Sequence, residues 1–143
     1  MITNLYDLYI HQIKDLHSAE TQIIGAMPKM IAMAQTDEVR DELKSHLEET
    51  REQLNRINTI LGNRNERAGD DVCEATKGLI KEGEHLMKEM AAYGTAKQYA
   101  QNLDFDDDVD LLDEESDANE KFTKLATGGF FSSGANQMAA AMS

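Results

Sequence analysis

Apolar residues recur every three to four positions over four long stretches, while strand-like alternation is nearly absent, so the chain is expected to be all-α. The first predicted helix runs from about Asn4 to Ala34. Leu5, Tyr9, Ile13, Leu16, Ile23, Met27 and Met30 form its stripe, and Asn4 followed by Asp7 has capping-box spacing. Pro28, the single proline, is expected to kink it by removing a backbone donor and crowding the preceding turn. The second predicted helix starts at Thr36, with Asp37 and Glu38 well placed against the helix dipole. Its stripe is Val39, Leu43, Leu47, Leu54, Ile57 and Leu61, and Gly62 is the expected C-terminal cap. A polar linker from Asn63 to Gly69 follows.

The third predicted helix opens at Asp71 with Glu74 three residues on, and its stripe is Val72, Leu79, Leu86 and Met90. Beyond Met90 the register fails, because Lys97 would fall on the buried face while Ala96, Tyr99 and Leu103 point elsewhere. Either the helix breaks there or two pieces of different helix are joined. Asp106, Asp107 and Asp108 then cap a fourth helix with Leu111, Leu112, Ala118, Phe122 and Leu125 inside. Two helical hairpins suit an antiparallel four-helix bundle over residues 1–126. Residues 127–143 turn to Gly, Ser and Ala around Phe130 and Phe131, and are expected to form a flexible tail or to serve assembly.

Charge narrows the partners. With 27 acidic against 14 basic residues, the net charge of −13 repels phosphates, so nucleic acid is disfavoured. No stretch approaches the roughly 20 apolar residues of a membrane span, and no signal-peptide pattern opens the chain, so a cytoplasmic protein is expected. Cys73 is alone and can form no internal disulfide; beside Val72 it reads as a buried, inert thiol.

The candidate chemistry lies in carboxylates that stand where leucines are expected. Glu20 falls between Leu16 and Ile23, and Glu115 falls between the Leu111–Leu112 pair and Ala118 or Phe122. A carboxylate on an apolar stripe is costly unless paired, protonated or bound to a cation. Carboxylates from several helices can converge in a bundle and hold two metal ions, with oxygen and imidazole donors suiting iron or manganese. The competing reading is a solvated glutamate, since a small helix rotation turns either one outward. On the second helix His46 and Glu49 share a face at ligand spacing, with Gln53 near the stripe. A lone helix histidine is nonetheless more often a hydrogen-bonded boundary residue. His11, His17 and His85 read as surface or boundary residues, and the methionines on the stripes as core. Gly78, Gly83 and Gly94 lie inside a helical pattern, which suggests close helix approach.

Several segments together carry a resemblance: residues 14–20, Ala26 to Met30, His46 to Thr50 with Gln53, Cys73 to Ala75 with Gly78 to Ile80, Ala92 to Thr95, Glu114–Glu115 and Lys124 to Ala126. The combination resembles the YciE/YciF group of ferritin-like bacterial stress proteins. The resemblance implies a rubrerythrin-like bundle, often dimeric, with a di-metal carboxylate site. By position Glu20, Glu49 and Glu115 would be the metal ligands, with His46 and Gln53 beside them. One departure stands out. The group carries about two further helical turns between its Gly-Leu-Ile and Tyr-Gly-Thr segments, holding a Glu-His-Tyr-Glu-like motif, whereas here Met90 runs directly into Ala91.

Two functions follow as expectations. The first is a stress-response protein with an iron or manganese carboxylate site, acting as an oxidase or peroxide scavenger. The second is a non-catalytic structural or assembly protein, a homodimer or higher homo-oligomer, that keeps the bundle without a competent metal site.

Overall fold

The computed structural model describes residues 2–124, and among them are four helices and no strand: α1 (Leu5–Met33), α2 (Asp37–Asn63), α3 (Glu74–Asn102) and α4 (Asp106–Lys124). The all-α expectation holds. The expected tail, residues 127–143, and the inner position Leu125 lie outside the described residues, as do the side chains of Ala118 and Phe122.

Local chemistry at the helix ends explains the boundaries. Asn4 Oδ1 accepts from the Asp7 backbone N–H at 2.9 Å, while the Asp7 carboxylate accepts from the Thr3 hydroxyl at 2.7 Å and its N–H at 2.9 Å. Those bonds, the Thr3 hydroxyl first, hold the Asp7 carboxyl below its ordinary range. Thr36 Oγ1 caps α2 by accepting from the Val39 N–H at 3.3 Å. Gly62 does not end α2. Asn65 does, in the left-handed region at φ 55°, with Glu66 N–H bonded to the Leu61 carbonyl and Asn65 N–H to the Gly62 carbonyl. Asp104, at φ 57°, closes α3 with the same pattern onto Ala100 and Gln101. α1 runs uninterrupted through Pro28.

The start of α3 departs from the Asp71 expectation. The residue before the helix is Cys73, whose carbonyl accepts from the Lys77 N–H at 3.1 Å. Its own N–H donates to Ser18 Oγ at 2.9 Å, and its carbonyl also accepts from Gln22 Nε2 at 3.1 Å. The Cys73 thiol, half-buried rather than buried, accepts from the Thr76 hydroxyl at 3.4 Å. Two side chains of α1 thus fix where α3 begins.

The chain forms two compact units. In the first, Met1–Lys29 with Lys44–Glu82, Ile13, Ile57 and Leu61 form a cluster against which Ile60 and Ala68 pack. Ile10, Ile23, Met27, Leu47 and Thr50 are also buried there, and Lys14 pairs with Glu66 at 3.0 Å. In the second, Met30–Leu43 with Gly83–Ser143, the buried side chains among described residues are Met30, Ala34, Val39, Leu43, Met87, Met90 and Ala100. Arg40 donates to the Ala34 carbonyl at 3.1 Å, and Lys97 pairs with Asp113, joining α3 to α4.

Several expected core positions are corrected. Leu5, Tyr9 and Leu16 on α1 are 81%, 39% and 45% exposed, and Ile10 is buried in their stead. Val72, Leu79 and Leu111 are exposed, and Leu54 is half-buried. On α3 the inward residues are Thr76, Met87, Met90 and Ala100. α3 does not break at Met90–Ala91. It continues to Asn102, with Lys97 kept half-buried by its partner Asp113. Close approach explains Gly83, where an added Cβ would lie 3.3 Å from Met30 Cε, but not Gly78, which has nothing within 4 Å.

Candidate functional site

The four central turns of α1 carry Glu20 on the side that also carries the buried Ile23 and Met27, and its side chain is half-buried. Desolvation pushes its carboxyl above the ordinary value, and no charged neighbour contributes to that shift. A carboxylate among other carboxylates would be raised by their charges as well. Burial is thus the whole of the cause for Glu20.

On α2 the His46 ring is half-buried, with Nε2 buried, one turn before the fully buried Thr50. The Thr50 hydroxyl donates to the His46 carbonyl at 2.8 Å, which satisfies a polar group inside the core without leaving the helix. Desolvation holds the His46 imidazole below its ordinary range, and the Glu49 carboxylate partly opposes this. Glu49 itself is exposed and Gln53 is half-buried. Glu20, His46, Glu49 and Gln53 all belong to the first unit. Glu115, on α4, belongs to the second and is exposed.

A two-metal carboxylate centre needs ligands from several helices aimed at one point. Among the described residues no group of three or more His, Cys, Asp or Glu side chains is arranged to hold a metal ion. With one desolvated carboxylate and one imidazole–carboxylate pair whose carboxylate faces solvent, these side chains as placed do not fit such a centre. His11 and His85 make exposed i,i+4 pairs with Asp15 at 3.6 Å and Glu89 at 3.3 Å, in keeping with a surface role. No described helix is long and apolar enough to cross a membrane.

The polar joint of Ser18, Gln22 and Cys73 was not legible beforehand. Its only trace in the sequence is two hydrogen-bonding side chains one turn apart on α1, and nothing in the chain names their distant partner.

Comparison with known proteins gives a consistent relationship. A family model described as a domain of unknown function, DUF892, matches residues 4–91. Protein YciF of Escherichia coli (strain K12) is 27% identical over 147 residues, spanning 84% of this chain and 89% of YciF. The structure of YcfI from Rhodopseudomonas palustris superposes with a TM-score of 0.56 at 30% identity, covering 89% of this chain and 94% of YcfI. The E. coli YciF structure gives 0.58 at 24% identity, covering 90% and 95%. Both neighbours are ferritin-like helical bundles, and the expected ferritin-like fold stands.

Proposed function

This chain belongs to the DUF892 family, with YciF among its relatives, and from that membership and the site geometry we propose that it is a non-catalytic helical-bundle protein acting through association. The observation that carries the reading is the state of its candidate ligands. Glu49 and Glu115 face solvent, and Glu20 bears a burial cost that no neighbouring charge modifies. A relative described as a candidate structural protein, YcfI, supports it, and so does the description of YciF as a stress protein. The exposed apolar side chains Leu16, Val72, Leu79, Tyr99, Phe105 and Leu111 supply surface for self-association as a homodimer or larger homo-oligomer. Like charges on each copy oppose this, so association should strengthen as salt screens them. Sedimentation at low and at physiological salt tests the reading: a monomer at both, up to high protein concentration, would contradict it.

The metal reading has one observation in its favour, the desolvated Glu20 in the same unit as the His46–Glu49 pair. On that reading Glu20, Glu49 and Glu115, with His46 and Gln53 beside them, gather around iron or manganese in a rearranged bundle. Thermal unfolding with and without Mn(II) under anaerobic conditions separates the two proposals. A rise in Tm that Glu20→Gln abolishes would favour the metal centre; no rise would favour association.

A further inference from the structure

Four large apolar side chains, Tyr99, Leu103, Phe105 and Leu111, stand between 53% and 64% exposed at the corner where α3 passes into α4. All four belong to the second unit. The chain's negative charge is concentrated in the same place. Residues 98–120 hold 10 of the 27 acidic residues and none of the 14 basic ones, so the other 120 residues are close to balance, 17 acidic against 14 basic.

The backbone fixes this corner. Leu103 N–H bonds to the Tyr99 carbonyl at 3.1 Å, so those two side chains stand one turn apart at the end of α3. Asp104 turns the chain in its left-handed conformation, and Phe105 N–H returns to the Ala100 carbonyl at 3.0 Å. The Phe105 carbonyl then accepts from the Asp108 and Val109 N–H groups, both at 3.1 Å, and α4 begins. Lys97 pairs with Asp113 and ties α4 to α3. Val109 and Leu112 are half-buried and mark the inner side of α4, which leaves Leu111 on its outer side. There Leu111 has Asp107 and Asp108 one turn before it and Glu114 and Glu115 one turn after it, all four exposed. Among the described residues, Asp113 alone of the acidic side chains in this segment has an ion pair.

We propose that the outer face of this corner docks a basic amphipathic helix of a partner protein. Charge complementarity selects that occupant. A leucine bracketed by four carboxylates matches a helix face on which apolar side chains alternate with Lys or Arg at the same one-turn spacing. A second copy of the chain would set these carboxylates against their own kind, and phosphate-bearing ligands are repelled. Carboxylates alone would draw only mobile counterions; the apolar side chains among them add surface that a partner removes from water. The exposed charge steers the encounter and fixes orientation, while Leu111 and the two aromatic rings supply the contact. The inference goes beyond the association reading by dividing its apolar surface. Leu16, Val72 and Leu79 stay available to a second copy, and the α3–α4 corner takes a cationic partner.

The test is fluorescence anisotropy of the full chain with a labelled leucine–lysine peptide whose leucines repeat at helical spacing. A peptide of the same composition in scrambled order and a lysine-only peptide serve as comparisons. The ordered peptide is expected to bind one to one, more tightly than either comparison, and several-fold more weakly at physiological than at low salt. Leu111→Gln should weaken it about tenfold, the loss of one buried leucine contact, and leave the lysine-only peptide unchanged. Removing two charges with Glu114→Gln and Glu115→Gln should weaken it several-fold. Removing the same charge from the exposed loop of the first unit, with Asp70→Asn and Asp71→Asn, should not. Every substituted side chain is exposed, so circular dichroism should match the parent, and sedimentation of Leu111→Gln should too. The proposal is overturned by no binding of the ordered peptide, by equal binding of the scrambled one, or by equal losses in the two charge variants. It also falls if Leu111→Gln abolishes self-association while peptide binding is unaltered, which would make a second copy the occupant.

Discussion

Glu20 and His46 are each half-buried and respond to burial in opposite senses. Burial disfavours the charged form of each, raising the carboxyl and lowering the imidazole. For Glu20 the folded state holds the proton more tightly than the unfolded state, so ionisation above the raised folded value costs stability, and the cost vanishes below the ordinary value of 4.5. Glu20→Gln is therefore expected to stabilise the protein at pH 7 by up to about 1 kcal/mol, with the gain gone near pH 4; urea unfolding at the two pH values measures it. For His46 the unfolded state binds the proton more tightly, so stability falls as pH drops below 6.5 and reaches its full loss below the lowered folded value. His46→Gln should flatten the stability curve over that acidic window, while Glu49→Gln, by removing the opposing charge, should steepen it. Unfolding midpoints across pH 5 to 8 would show either effect, and an unchanged slope in both variants would remove His46 from the account.

At the scale of elements, the four helices could be read from periodicity because each buries a stripe, and α2 was read best. Val39, Leu43, Leu47, Ile57 and Leu61 are all buried, as their spacing demands. The first turns of α1 were misread for a physical reason. Leu5, Tyr9 and Leu16 continue the stripe that Ile23 and Met27 bury further along, so spacing alone cannot tell that nothing in the described chain covers them. α3 was misread because its inward positions are small or polar, Thr76 and Ala100 among them, while its leucine Leu79 is exposed. Periodicity of large apolar residues misses such a face. The Met90–Ala91 junction remains visible in another way: the family match ends at residue 91, although the helix does not. Of the candidate site, the half-buried setting of Glu20 and His46 was legible from their stripes, whereas the exposure of Glu115 was not, since the α4 stripe it was placed on turns Leu111 outward as well. The start of α3 was set by side chains of α1 that no local rule identifies. Ser18→Ala should remove the acceptor for the Cys73 N–H and cost about 1 kcal/mol. Hydrogen exchange should speed up at residues 73–76 and stay unchanged in α2; uniform exchange changes would argue against a local joint.

For the molecule as a whole, the question is whether a ferritin-like bundle still carries ferritin-like chemistry. The fold and the family need only packed helices, which Leu43, Thr50 and Met87, all nearly inaccessible to solvent, supply. A metal centre needs more, namely charged groups from separate helices brought to one point with their desolvation offset by a cation. Here the half-buried Glu20 carboxyl is raised by desolvation, and Glu49 and Glu115 are exposed. A bundle can lose such a site and remain stable, because replacing a half-compensated buried charge relieves a cost. The most direct test is elemental analysis of the full chain expressed in medium supplemented with iron and manganese and purified without chelators. The account predicts no stoichiometric iron or manganese, and the same result for Glu20→Gln. Two metal ions per chain in the parent, lost in that variant, would contradict it.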